Sequence, residues 1–175
     1  YEEIPERYKE GYVAFVIGAN HVTKQLTNEK IIEVCKRSVY PVVLIGGDED
    51  SERGKAISSR VGEHVMSACG ITTLKQSAAI ISFAKKIITH DTGMMHIAAA
   101  LKKDMITIWG NTVPEFGMWP LYPSGMNKSV NFQVNGLSCR PCTKLGYSKC
   151  PKGHFKCIED QNIDKIVKQL NKAYY

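Results

Sequence analysis

The chain has 175 residues, enough for one well-buried domain, and a net charge of +6 that suits anionic ligands or an anionic membrane surface. Its basic residues are scattered, with no run longer than two such as Lys85-Lys86 and Lys102-Lys103, so no stripe for nucleic acid is drawn. No apolar stretch approaches the roughly 18 residues of a membrane-spanning helix, and no signal peptide is visible.

The opening segment YEEIPERYKEG (1–11) is charged and has no initiating methionine. It reads as the remnant of an interdomain linker, and the chain as a piece of a longer protein whose domain occupies 12–175. Short β-rich apolar runs then alternate with helical patterns. Strands are expected at 12–17, 41–45, 65–69, 86–89 and 105–109, and helices at 28–38, 51–61, 74–84 and 93–102. Thr73 and Gln76 carry the spacing of a capping box at the start of the third helix. In the fourth, Met94, Ile97, Ala98 and Leu101 give an apolar stripe expected to face the sheet. This alternation implies an α/β domain, a Rossmann-like parallel sheet with helices on both faces.

After Trp109 the composition turns to Gly, Pro, Asn and Cys, with one further strand at 130–134 and a closing amphipathic helix at 162–172. Trp109 is read as packing, and Trp119 as packing or as a wall of the ligand site. Cys35 and Cys69 stand alone in apolar segments and read as core. The other four, Cys139, Cys142, Cys150 and Cys157, fall within a segment at 136–160 with His154 as a spare ligand. Structural zinc, reduced thiols and disulfides all remain open for them, and a catalytic role is not expected.

Open parallel sheets bind ligands beyond the carboxyl ends of their strands, where strand order reverses. With order 3-2-1-4-5 that point lies between the first and fourth strands. It brings together the loops GANHVTK (18–24) and HDTG (90–93). The helix from Gly93 would aim free amides and its positive dipole end there, and Gly93 admits a close ligand. Lys24 supplies a point charge for phosphate, and an acid of GGDED (46–50) is placed to take ribose hydroxyls. The loop after the first strand lacks G-x-G-x-x-G, so a nucleotide diphosphate other than a nicotinamide dinucleotide fits better. Each residue also has a plainer reading: Asp91 or Thr92 as helix cap, His96 as a surface side chain, Lys24 as a solvated lysine, and Asp50 or Ser51 as the cap of the helix after GGDED.

HDTGMMHIAAAL (90–101), GITTLKQSAAII (70–81), IWGNTVPE (108–115) and SCRPCTKLGYSKCPKGHFKC (138–157) together resemble the C-terminal half of glycosyltransferase family 9, the ADP-heptose:lipopolysaccharide heptosyltransferases. The resemblance implies one half of a GT-B enzyme, the half that holds the nucleotide-sugar. It implies inverting transfer of a sugar, heptose first, from an ADP-sugar to a lipopolysaccharide core or lipid A acceptor, with no cofactor required. By the same resemblance Lys24 contacts the donor phosphates and Asp48, or otherwise Asp50, the ribose. Asp91 lies near the donor sugar, while Thr92, Gly93, Met94 and His96 line the phosphate and sugar site, with Asn20 beside them. Two positions depart from the family: its small hydroxyl pair reads Ala19-Asn20, and its tryptophan after the lysine reads Leu26. The catalytic base would belong to a missing N-terminal domain, leaving the fragment inactive alone. The expected location is the cytoplasmic, inner-membrane face of a Gram-negative bacterium, with peripheral membrane contact. A UDP-sugar transferase or epimerase of the same plan, and a non-enzymatic zinc module, are the alternatives.

Overall fold

The computed structural model describes residues 6–172. Six parallel strands form one sheet: β1 (Val13–Val16), β2 (Val42–Ile45), β3 (Val65–Ser67), β4 (Lys86–His90), β5 (Met105–Trp109) and β6 (Ser129–Gln133). They lie in the order β3-β2-β1-β4-β5-β6. The expected order is met, and the strand read at 130–134 becomes β6, paired in parallel to β5 from Met105↔Ser129 to Trp109↔Gln133. β1, β2, β4 and β5 are buried at every position. Central parallel strands are covered on both sides, so their sequences read as apolar runs rather than alternating ones.

Strand residues of opposite parity feed two cores. Phe15, Leu44, Ile88 and Ile108 pack under α2 (Asn28–Arg37), α3 (Ser51–Val61) and α7 (Ile163–Leu170). Ala14, Val16, Val43 and Ile87 pack under α4 (Leu74–Phe83) and α5 (Gly93–Ala100). α1 (Glu6–Lys9) and α6 (Lys156–Glu159) are single turns. Of the segment read as a linker, residues 1–5 lie outside the described residues. The remainder packs on the domain, with Tyr8 3% exposed, Tyr12 8% exposed and Arg7 ion-paired to Glu63.

Thr73 caps α4 as its spacing predicts: its hydroxyl accepts the Gln76 amide at 3.3 Å while Gln76 Oε1 accepts the Thr73 amide at 2.8 Å. α7 buries Ile163, Ile166, Val167 and Leu170, each contributing about 1.5–3 kcal/mol when fully withdrawn from water. Its far end is tied to the sheet by Lys86 of β4. That ammonium donates to the carbonyls of Gln169, Leu170 and Lys172 at 3.0, 2.7 and 2.6 Å, satisfying acceptors that a helix C-terminus leaves open. Cys35 and Cys69 are core residues, as read.

The stripe on α5 is the expected one in part: Ala98 is buried and Met94 packs against the core. Met95, Ala98 and Ala99 are buried, whereas Leu101 is 40% exposed and lies past the helix end. Both sets keep helical spacing and share Ala98. Trp109 is fully buried, with its indole N–H donating to Thr107 Oγ1 at 3.0 Å. Trp119 is 45% exposed and packs into neither core.

Candidate functional site

A crevice of about 500 Å³ opens at the carboxyl ends of β1, β2 and β4. Its walls are the loop after β1 (Gly18, Ala19, Asn20), the loop after β2 (Gly46, Gly47, Glu49, Asp50), Thr72, Leu74 and Ser77 at the start of α4, and Thr92, Gly93, Met94 and Ile97 of α5. The point where strand order reverses, between β1 and β4, therefore carries the crevice, as topology requires. Met94 and Ile97 form its apolar lining, and Met94 also packs against the core under α5 as expected.

In GGDED, residues 48–50 form a 3₁₀ turn in which Asp50 is buried and Asp48 exposed. Asp48 is exposed and does not line the crevice, whereas Asp50 does, with Glu49 beside it. The Asp50 carboxylate is 4% exposed, accepts the Gly47 amide at 3.1 Å and stands 3.9 Å from Arg53. Burial raises its pKa, partly offset by the Gly47 amide and Arg53. Gly18 is required beneath it, since a Cβ there would lie 2.0 Å from Asp50 Oδ2. Arg53 reaches on to Asn28 Oδ1, Gln25 Oε1 and the Ile17 and Leu26 carbonyls, which ties the β1 loop to α3.

Gly93 answers to no such constraint: a Cβ there meets nothing within 4 Å. Thr92 occupies the cap position of α5 without a side-chain cap bond, and its buried hydroxyl has no hydrogen-bond partner. Asp91 is not a cap either. Its Oδ2 pairs with Lys24 Nζ at 2.7 Å and accepts the Thr112 hydroxyl at 3.0 Å. Lys24 and Asp91 are 13% and 7% exposed, so the lysine is no solvated side chain. The pair stands next to Thr92, just outside the crevice lining. His96 is exposed and lies outside the lining, contrary to its expected place along the wall. His90, directly before Asp91, is fully buried; its Nε2 accepts the Leu26 amide at 3.0 Å, and burial, helped by Arg53, pushes its pKa down to about 3.

The cysteine-rich segment braces these loops from the far side. Thr23, the neighbour of Lys24, is bonded to Tyr147 through three contacts of 2.8–3.2 Å. Arg140 donates to the Gly110 and Thr112 carbonyls at 2.5 and 2.7 Å and to Gln133 Oε1 at 2.8 Å. The Cys142 amide donates to the Asn111 carbonyl at 3.1 Å. All six cysteines are free, and among the described residues no group of three or more His, Cys, Asp or Glu side chains is placed to hold a metal ion. Cys142 Sγ instead donates to the Cys139 carbonyl at 2.9 Å, and Cys139 Sγ lies 3.7 Å from His154 Nε2.

Thr112, Arg140 and Tyr147 were not singled out by sequence reasoning. IWGNTVPE drew notice as a motif, yet nothing in its spacing says that Thr112 meets Asp91.

A parallel sheet with its crevice at the switch point, flanked by a helix N-terminus, defines a Rossmann-like domain of the ligand-binding class. The family model of glycosyltransferase family 9 (heptosyltransferase) matches residues 2–151, and the chain belongs to that family. It is 36% identical over 136 residues to lipopolysaccharide heptosyltransferase 2 of Escherichia coli, covering 75% of this chain and 36% of that protein. The structure is similar to that of E. coli ADP-heptose lps heptosyltransferase II, with TM-score 0.74 and 24% identity over 92% of this chain and 45% of the other. E. coli heptosyltransferase WaaC with ADP superimposes with TM-score 0.65 and 19% identity over 91% and 43% of the respective chains. The chain thus spans less than half the length of these relatives.

Proposed function

We propose that this chain is the donor-binding half of an inverting glycosyltransferase that moves heptose from an ADP-sugar to a lipopolysaccharide core or lipid A acceptor. The observation that carries the reading is the convergence, at one crevice, of Asp50, the N-terminus of α5 and the adjoining Lys24–Asp91 pair. In this reading Asp50 accepts hydrogen bonds from the ribose hydroxyls, and Asn20 and Gly93 border the path of the donor. The amides at Thr92–Met94 and the Lys24 ammonium face the diphosphate, while Asp91 orients the sugar. The buried, unpartnered Thr92 hydroxyl supports a polar ligand at this spot, since such a group costs about 1–3 kcal/mol when left unsatisfied.

Transfer requires an acceptor hydroxyl oxygen to bond to the anomeric carbon as the carbon–oxygen bond to the diphosphate breaks. The electron pair leaves with ADP and the hydroxyl proton passes to a base. Stabilising the departing charge is electrostatic work for donors already in place, which Lys24 and the α5 amides supply. The base is assigned to the part of the longer relatives that this chain does not match, so the chain alone binds donor without turning it over. Among the described residues no helix is long and apolar enough to cross a membrane. We assign the protein to the cytoplasmic membrane face, a reading supported by its free cysteines and its charge of +6.

Calorimetric titration with ADP-heptose, ADP and UDP tests the reading. ADP and ADP-heptose should bind and UDP should bind at least tenfold more weakly, with no sugar released to an acceptor. Equal affinity for UDP would favour the epimerase or UDP-transferase plan, and no nucleotide binding at all would remove the site.

A further inference from the structure

Resting on the nucleotide-sugar reading, we propose that Thr112 is a positioning residue of the donor site: by engaging one oxygen of Asp91 it fixes where Lys24 stands and leaves the other oxygen for the donor. Asp91 Oδ2 receives both the Thr112 hydroxyl at 3.0 Å and Lys24 Nζ at 2.7 Å. Among the described residues Oδ1 makes no protein hydrogen bond. A carboxylate with no other anchor could present either oxygen to the lysine. Thr112 removes that freedom, because its hydroxyl is fully buried on a fixed loop and has one acceptor in reach.

The loop is fixed independently of Asp91. Arg140 holds the carbonyls on either side of Asn111, at Gly110 and Thr112. The Asn111 amide donates to the Thr23 carbonyl at 3.2 Å, and Gly110 lies so close to Thr23 that a Cβ would come within 2.3 Å of that carbonyl. The β5 loop is therefore registered against the residue preceding Lys24, while Thr112 registers Asp91. Lysine and carboxylate are both positioned relative to one rigid loop rather than only to each other. Pre-organisation of this kind lowers the ordering cost of binding a charged diphosphate. A threonine present only to satisfy a buried carboxylate would contribute stability and would not distinguish phosphate from nucleoside.

The test compares Thr112→Val, which keeps the branched shape and removes the donor, with Thr112→Ser, which restores the donor. Affinities for ADP and for adenosine are measured for each, alongside the unfolding temperature. Thr112→Val should bind ADP about tenfold more weakly than wild type, the equivalent of one net hydrogen bond, while adenosine affinity stays unchanged. Thr112→Ser should recover most of the ADP affinity. Wild-type ADP affinity in Thr112→Val, or a loss shared equally by adenosine and ADP, overturns the proposal while leaving the nucleotide reading standing. Failure of the wild-type protein to bind ADP removes that reading and the proposal with it.

Discussion

Asp50 is a buried carboxylate whose charged form burial disfavours. Burial raises its carboxyl pKa above the usual value, so folding favours the protonated form, and the stability this gives is lost as pH rises through the folded-state pKa. Burial works against the ionised form of Asp50, and hydroxyl donors from a ligand would offset it. Asp50→Asn keeps an oxygen for the Gly47 amide and removes the charge. Its unfolding temperature at pH 7 should equal or exceed that of wild type, with the gap closing near pH 3, while affinity for adenosine falls about tenfold. Earlier unfolding at pH 7, or undiminished adenosine binding, would contradict this account of Asp50. The sequence showed an acid in GGDED but ranked Asp48 first, because spacing does not reveal which way a 3₁₀ turn points its side chains. Gly18 and Gly46, both crowded by Asp50, were the available sign.

At the scale of elements, the segment at 136–160 holds two thiols whose pKa values are shifted in opposite directions. Burial raises the pKa of Cys150, but hydrogen bonds from the amides of Phe155, Lys152, Gly153 and His154 outweigh it and bring the thiol below its ordinary value. Burial, with the neighbouring thiols Cys142 and Cys150, pushes Cys157 up to about 11. Limited alkylation of the folded protein at pH 7, followed by peptide mass spectrometry, should therefore label Cys150 well before Cys157. Equal labelling, or Cys157 first, would show that this arrangement of amides is not the one in solution. The bracing role of the segment was hidden from sequence because its contacts bridge great distances along the chain, Thr23 to Tyr147 being 124 residues apart. The α5 stripe was legible at Met94 and Ala98 and missed at Ile97 and Leu101, for a local reason. GMMHIAAAL offers two apolar faces at helical spacing, and only packing chooses between them.

Across the whole molecule, strand order and the place of the crevice were legible because both follow from alternating patterns and chain-crossing rules. His90 sits beneath that crevice, fully buried and neutral. Its folded-state pKa of about 3 lies below the unfolded value near 6.5, so the stability it contributes is present above pH 6.5 and is lost as pH falls towards 3. Denaturant unfolding across that window should show stability falling by up to about 1.4 kcal/mol per pH unit from this one group. His90→Gln, which keeps a side-chain acceptor for the Leu26 amide, should flatten the slope. An unchanged slope would place the titrating group elsewhere.

The brace formed by Arg140 and Tyr147 also has a consequence in time. β1 to β5 and every residue of the crevice are complete by residue 109. The partners that register Lys24 and Asp91 follow only at 112, 140 and 147. During synthesis the residues of the crevice therefore precede those that set its charged edge. Order along the chain thus puts the crevice first and the partners that set Lys24 and Asp91 after it.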